Sequence, residues 1–120
     1  MNKLSAAWVG VCIGLTITSG GVRANEFPKD KPIRIVAAFS PGSATDISAR
    51  IVGDLLKNEI GANVIVENKP GAQGVIGTEA AIRSPADGYT LTITSSSLNS
   101  INPGLFKKLS YDAQKDFTHI

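Results

Sequence analysis

The residues that could do chemistry in this 120-residue chain gather in three short segments of small side chains. The first is "SPGSATD", with Ser40, Pro41, Gly42 and Ser43 followed by Thr45 and Asp46. The second is "GAQG", Gly71, Ala72, Gln73 and Gly74, and the third is "TSSSLN", with Thr94, Ser95, Ser96 and Asn99. None of the three contains Lys, Arg or His. What they offer is backbone N–H groups and hydroxyls. The first two run straight into helical patterns, and a helix start leaves its first N–H groups without intrahelical partners. It also carries the positive end of the helix dipole, worth about 0.3–1 kcal/mol to an exposed anion and up to ~2 kcal/mol when partly buried. Two such ends, with the hydroxyls from Thr94 to Ser97, could hold a carboxylate without a cationic side chain. For any single segment the plainer reading is that Gly and Ser merely turn the chain.

Catalytic patterns are missing. His119, the only histidine, has no partner of evident role. No serine lies in a G-x-S-x-G elbow, and no His/Asp/Glu group has metal-ligand spacing. "PGAQGVIGT" lacks the Gly-Lys-Ser/Thr of a phosphate loop, and Gly71 and Gly74 are too far apart for G-x-G-x-x-G. No enzyme activity, cofactor or metal is expected.

The elements around these segments read as alternating strands and helices. "IRIVAAF" is an apolar, β-branched run that suits a strand covered on both faces. Ala44 to Ile60 has helical spacing, with Ile47, Ile51, Leu55 and Ile60 as the expected core face, widened by Val52 and Leu56. Ser43 and Asp46 have capping-box spacing, in which Asp46 would reach back to the N–H of Ser43, and Gly61 closes the helix. Arg50 is expected to pack or pair at the surface. Asn63–Glu67 is a second strand, Val75–Arg83 a second helix, and Tyr89–Ser95 a third strand after the turn at Ser84–Gly88. The spacing predicts an α/β fold whose parallel sheet has the order 2-1-3, with the three segments at its carboxyl edge. Such a sheet has two open edges.

The first 24 residues stand apart. Lys3, an apolar stretch from Leu4 to about Ile17, and Val22-Arg23-Ala24 read as a secretory signal peptide and its cleavage site. The apolar stretch is shorter than the ~20 residues that span a membrane. Removal would take Cys12 with it, leaving no cysteine for disulfide, thiol or metal chemistry. It would also lower the net charge from +2 to zero. No basic run is interleaved with aromatic residues, so no nucleic-acid partner is expected.

The stretches "KPIRIVAAFSPGSATDISAR", "VIVENKPGAQGVIGTEAA" and "SPADGYTLTITSSSLNSINPGLFKKLSYDAQKDF" resemble the Bug family, extracytoplasmic solute-binding proteins of tripartite tricarboxylate transporters. The resemblance covers nearly all of the chain after residue 24, in order and spacing. It implies a periplasmic-binding-protein-like (type II) lobe of a two-domain protein that closes on a small organic acid, a di- or tricarboxylate among others. That acid would pass to membrane permease subunits, and the complete protein would be a monomer in the periplasm. In relatives the segments corresponding to Ser40–Asp46 and Pro70–Gly77 help form the cleft, and Thr94–Asn99 borders it. Relatives commonly have Gly at positions 43 and 73, where this chain has Ser43 and Gln73. A side chain at either position would cost roughly 1–2 kcal/mol if the backbone there has positive φ. For Asp46 two roles stay open, orienting a ligand ammonium or hydroxyl and completing the helix cap. Family members continue well past Ile120, so the expectation is that residues 25–120 are the N-terminal part of domain 1, with the second lobe missing.

Two other classes compete with transport. A periplasmic sensor would present the same ligand to a membrane receptor, and gene neighbourhood would separate it from a transport component. An α/β enzyme acting on a phosphorylated substrate would need a catalytic residue that this sequence does not display.

Overall fold

The computed structural model describes residues 27–120, so the expected signal peptide at 1–24, with Cys12, lies outside the described residues. Strand β1 is Ile33–Ala37, helix α1 Ala44–Ile60, strand β2 Val64–Asn68, helix α2 Val75–Ile82 and strand β3 Thr90–Ile93. A π-type turn, Ser97–Ile101, then leads into the short helix α3, Asn102–Leu105. The sheet is parallel with the order β2-β1-β3, as the spacing predicts. Ile35 lies level with Val66 and Leu91, and Ala37 with Asn68 and Ile93. All three strands therefore end at one edge.

β1 is central because its residues are apolar on both sides of the pleat. Ile35 and Ala37 face α1, and Ala38 meets α2 on the opposite face. Ile33, Ile35, Val36, Ala37 and Ala38 are all buried. Arg34 is the exception, and the sheet accommodates it by a two-pronged pair with Glu67 on β2, both contacts 2.9 Å. No helix among the described residues is long and apolar enough to cross a membrane.

The rotation of α1 departs from expectation. Ile47, Ile51 and Leu55, the stripe expected to face the sheet, point outward and are 51%, 56% and 55% exposed; Ile60 is exposed too. The inward face is Asp46, Ala49, Gly53 and Leu56, with Val52 beside it. These positions follow a 3-4-3 spacing that is as helical as the isoleucine stripe, but two of them are Asp and Gly, so hydrophobicity hides it. Small residues on this face let the helix approach closely. A Cβ built on Gly53 would sit 3.1 Å from Val64 Cγ1 and 3.9 Å from Ile35 Cδ1.

α2 comes even closer to β1. A Cβ on Gly77 would lie 2.6 Å from the Ala38 Cα and 2.7 Å from the Lys69 carbonyl oxygen, both backbone atoms that cannot yield. We predict that Gly77→Ala destabilises the chain by about 1–3 kcal/mol through overpacking. Thermal denaturation should show a lowered Tm, whereas Gly104→Ala, with nothing within 4 Å, should not. Equal Tm values for the two variants would contradict this packing.

Candidate functional site

The first tip, Ser40–Asp46, is built around a carboxylate. The Ser43 N–H closes a turn onto the Ser40 carbonyl at 3.1 Å, and Gly42 supplies the positive φ of 81° that the turn requires. Ser43 itself has φ −70°, so its side chain causes no strain, and its Oγ accepts from the Asp46 N–H at 3.3 Å. The other half of the expected capping box differs. Asp46 Oδ2 accepts from the Gly42 N–H at 2.8 Å, because the Ser43 N–H is already committed to Ser40.

Asp46 is 3% exposed and both of its oxygens are occupied. Oδ1 accepts from Asn68 Nδ2 at 2.9 Å and lies 3.0 Å from an Arg50 guanidinium nitrogen; Oδ2 also accepts from Arg50 Nε at 3.2 Å. The Arg50 hydrogen bond, then the Gly42 N–H, then Asn68 hold its pKa down to about 2. The carboxylate is thus spent inside the loop and neutralised by Arg50. The amides of Ala44 and Thr45, at the start of α1, take no part in the hydrogen bonds among the described residues. Thr45 Oγ1 pairs with Ser43 Oγ at 3.0 Å.

The second tip is a left-handed turn. Gly71 to Gly74 have φ of 137°, 46°, 54° and 90°, and the Gly74 N–H closes onto the Gly71 carbonyl at 2.9 Å. Positive φ at both central residues is the mirror-image type I turn, which favours Gly, Asn and Asp. Here Ala72 and Gln73 occupy it, at roughly 1–2 kcal/mol each. The conditional cost expected for Gln73 therefore applies, and Ala72 shares it. At Gly74 a side chain would be strained by the φ of 90°, and its Cβ would lie 2.8 Å from Leu98 Cδ2 and 3.1 Å from Phe39 Cζ.

The third tip begins at Thr94, whose Oγ1 donates to Asn99 Oδ1 at 2.8 Å. The Leu98 and Asn99 N–H groups both bond the Ser95 carbonyl. This segment leads directly into a helical turn at Ser97–Ile101. Ser95 Oγ is buried without a partner.

The tips are tied together by residues that sequence reasoning left out. Asn68 Nδ2 reaches both the Phe39 carbonyl, at 3.1 Å, and Asp46, joining β2 to the first tip. Asn102 Nδ2 reaches the Gln73 carbonyl at 3.3 Å, joining the third segment to the second tip. Phe39 and Leu98 close over Gly74. The signal for Asn68 was its place directly after the expected strand Asn63–Glu67, at the carboxyl edge. Asn102, followed by Pro103, carried no comparable signal. The cavities beside this sheet flank its open edges instead. One of about 730 Å³ lies between α1 and β2, and one of about 480 Å³ lies beside β3 and reaches Thr94.

The sequence and the backbone fold are similar to those of known proteins. A family model described as "Tripartite tricarboxylate transporter family receptor" matches residues 48–120. Protein BugT of Bordetella pertussis is 36% identical over 121 residues, which is 100% of this chain and 36% of that protein. A solved structure of a periplasmic transporter is 44% identical with a TM-score of 0.67, covering 71% of this chain and 29% of the other. MatC from Rhodopseudomonas palustris with bound malate is 30% identical with a TM-score of 0.69, covering 72% and 30%. The chain thus spans about a third of the length of the curated relatives it matches.

The lowered pKa of Asp46 sets a pH dependence. Its charged form is favoured in the folded state, so its contribution to stability is complete above the ordinary carboxylate pKa of 3.8 and is lost as pH falls toward about 2. In denaturant titrations across that window, Asp46→Asn should be less stable at neutral pH and show a shallower acid slope than the parent chain. An unchanged slope would mean that the carboxylate does not organise the tip.

Proposed function

Because the chain belongs to the tripartite tricarboxylate transporter receptor family, we propose that its three tips form one wall of a binding site for a small organic carboxylate. In this reading the chain is part of a periplasmic solute-binding protein that hands its ligand to membrane permease subunits. The family is one of receptors rather than enzymes, and the protein would act by holding and releasing a ligand without changing it.

The observation that carries the reading is the internal neutralisation of Asp46. A free carboxylate at the first tip would repel an anion. With Arg50 and Asn68 engaging it, the amides at the start of α1 and its positive dipole end meet the ligand without that opposition. Ser40, Gly42, Ser43 and Thr45 line the first tip, Gly71 to Gly74 the second, and Thr94, Ser95, Ser96 and Asn99 the third. Neutral donors of this kind fit the planar, singly charged ends of a di- or tricarboxylate. The malate held by the similar MatC structure belongs to the same chemical class.

One wall gives modest affinity. Two helix starts and a few hydrogen bonds supply on the order of 4 kcal/mol, which corresponds to a Kd near ~1 mM. Titrating the isotope-labelled chain with malate should shift the amide resonances of Ala44, Thr45, Gln73, Gly74 and Ser96, and the diamide of malate should not. Shifts confined to the amino edge of the sheet, at Ile33, Asn63 and Tyr89, would refute the placement. Micromolar binding would refute the single-wall reading.

A further inference from the structure

We propose that Asn102 is the positioning residue that holds the second tip in its left-handed form, so that a side chain of the third segment sets the geometry with which Ala72 and Gln73 present their amides. The inference rests on the reading of the tips as a carboxylate-binding wall, but the latch itself is argued from local geometry alone. The Gln73 carbonyl and the Gly74 N–H belong to one peptide unit. The N–H is tied to Gly71 at 2.9 Å and the carbonyl to Asn102 at 3.3 Å, so that plane is gripped from both sides. Rotating it would change ψ of Gln73 and φ of Gly74, so gripping it fixes the closing end of the turn in which Ala72 and Gln73 keep their positive φ values of 46° and 54°. Strained conformations of this kind persist only where surrounding contacts determine them.

Asn102 is suited to the task. It is 0% exposed, and its Oδ1 is buried without a partner. An orphaned acceptor is unfavourable, and a leucine would fill a comparable volume without it. The donor is what the asparagine adds. Its backbone is fixed as well, since its carbonyl accepts the Phe106 N–H at 3.0 Å. The segment before it is pinned where Tyr111 donates its hydroxyl proton to the Leu98 carbonyl at 2.7 Å, and Leu98 packs against Gly74. The latch therefore works from a fixed base.

The test uses the full 120-residue chain as Asn102→Leu, which keeps volume and removes the donor, and as Asn102→Leu combined with Gln73→Gly, which adopts positive φ freely. Asn102→Leu should move the carbon chemical shifts of Ala72 and Gln73 away from left-handed values and speed Gly74 amide exchange by about 5- to 10-fold. It should weaken malate binding by a similar factor. The double variant should restore both exchange and affinity to within about twofold of the parent, which refilling the core alone could not do. Unchanged shifts in Asn102→Leu, or a double variant no better than the single one, would overturn the proposal. Should the parent chain bind no malate, the carboxylate reading fails while the shifts and exchange still decide the latch. If Asn102→Leu does not fold, Asn102→Ala gives the same readouts.

Discussion

The buried carboxylate of Asp46 is the constraint on which the rest of this lobe depends. It ties the Gly42 amide, the end of β2 through Asn68, and the next turn of α1 through Arg50 into one network. To place that carboxylate inside the loop, α1 must turn the face containing Asp46, Ala49 and Gly53 inward. The isoleucine stripe is then forced outward. Within the described residues the three large apolar side chains of that stripe are left uncovered, while the loop takes a fixed shape. Packing in this lobe follows the tip, and the small residues that the rotation brings inward allow α1 to lie close to Val64 and Ile35.

The same economy shapes the whole carboxyl edge. Among the described residues, the guanidinium beside the first tip, that of Arg50, is occupied with Asp46. In the proposed reading the edge relies on oriented amides whose positions are fixed before a ligand arrives. Dipoles held in place by the fold need little reorganisation on binding, which is the advantage of preorganisation. The second tip pays for this with positive φ at Ala72 and Gln73, compensated by contacts from Phe39, Leu98 and Asn102. Under the proposed function, neutral donors would also permit release of the ligand.

Much of this was legible in the sequence. The β-branched run at Ile33–Ala37 announced a strand buried on both faces, and Ser43 and Gly61 marked the ends of α1. The strand order followed from the alternation of elements, and the family from the motifs around the Pro-Gly loops. The rotation of α1 was not legible, because an Asp and a Gly on its inward face look polar or neutral in any count of hydrophobicity. Nor was the partner of Asp46, since a backbone N–H carries no mark in the sequence of which carbonyl has already claimed it. Asn68 and Asn102 were missed for a related reason. Each joins segments 22 to 29 residues apart, and such pairings exist only once the sheet brings the tips together.

The central claim is that amides at converging tips grip a carboxylate. A crystal structure of the chain grown with malate tests it most directly. The account predicts a carboxylate group within hydrogen-bond distance of the Ala44 or Thr45 amide and facing the Gln73–Gly74 turn. Malate seated at the amino edge of the strands, or held by a lysine or arginine side chain away from the tips, would contradict it.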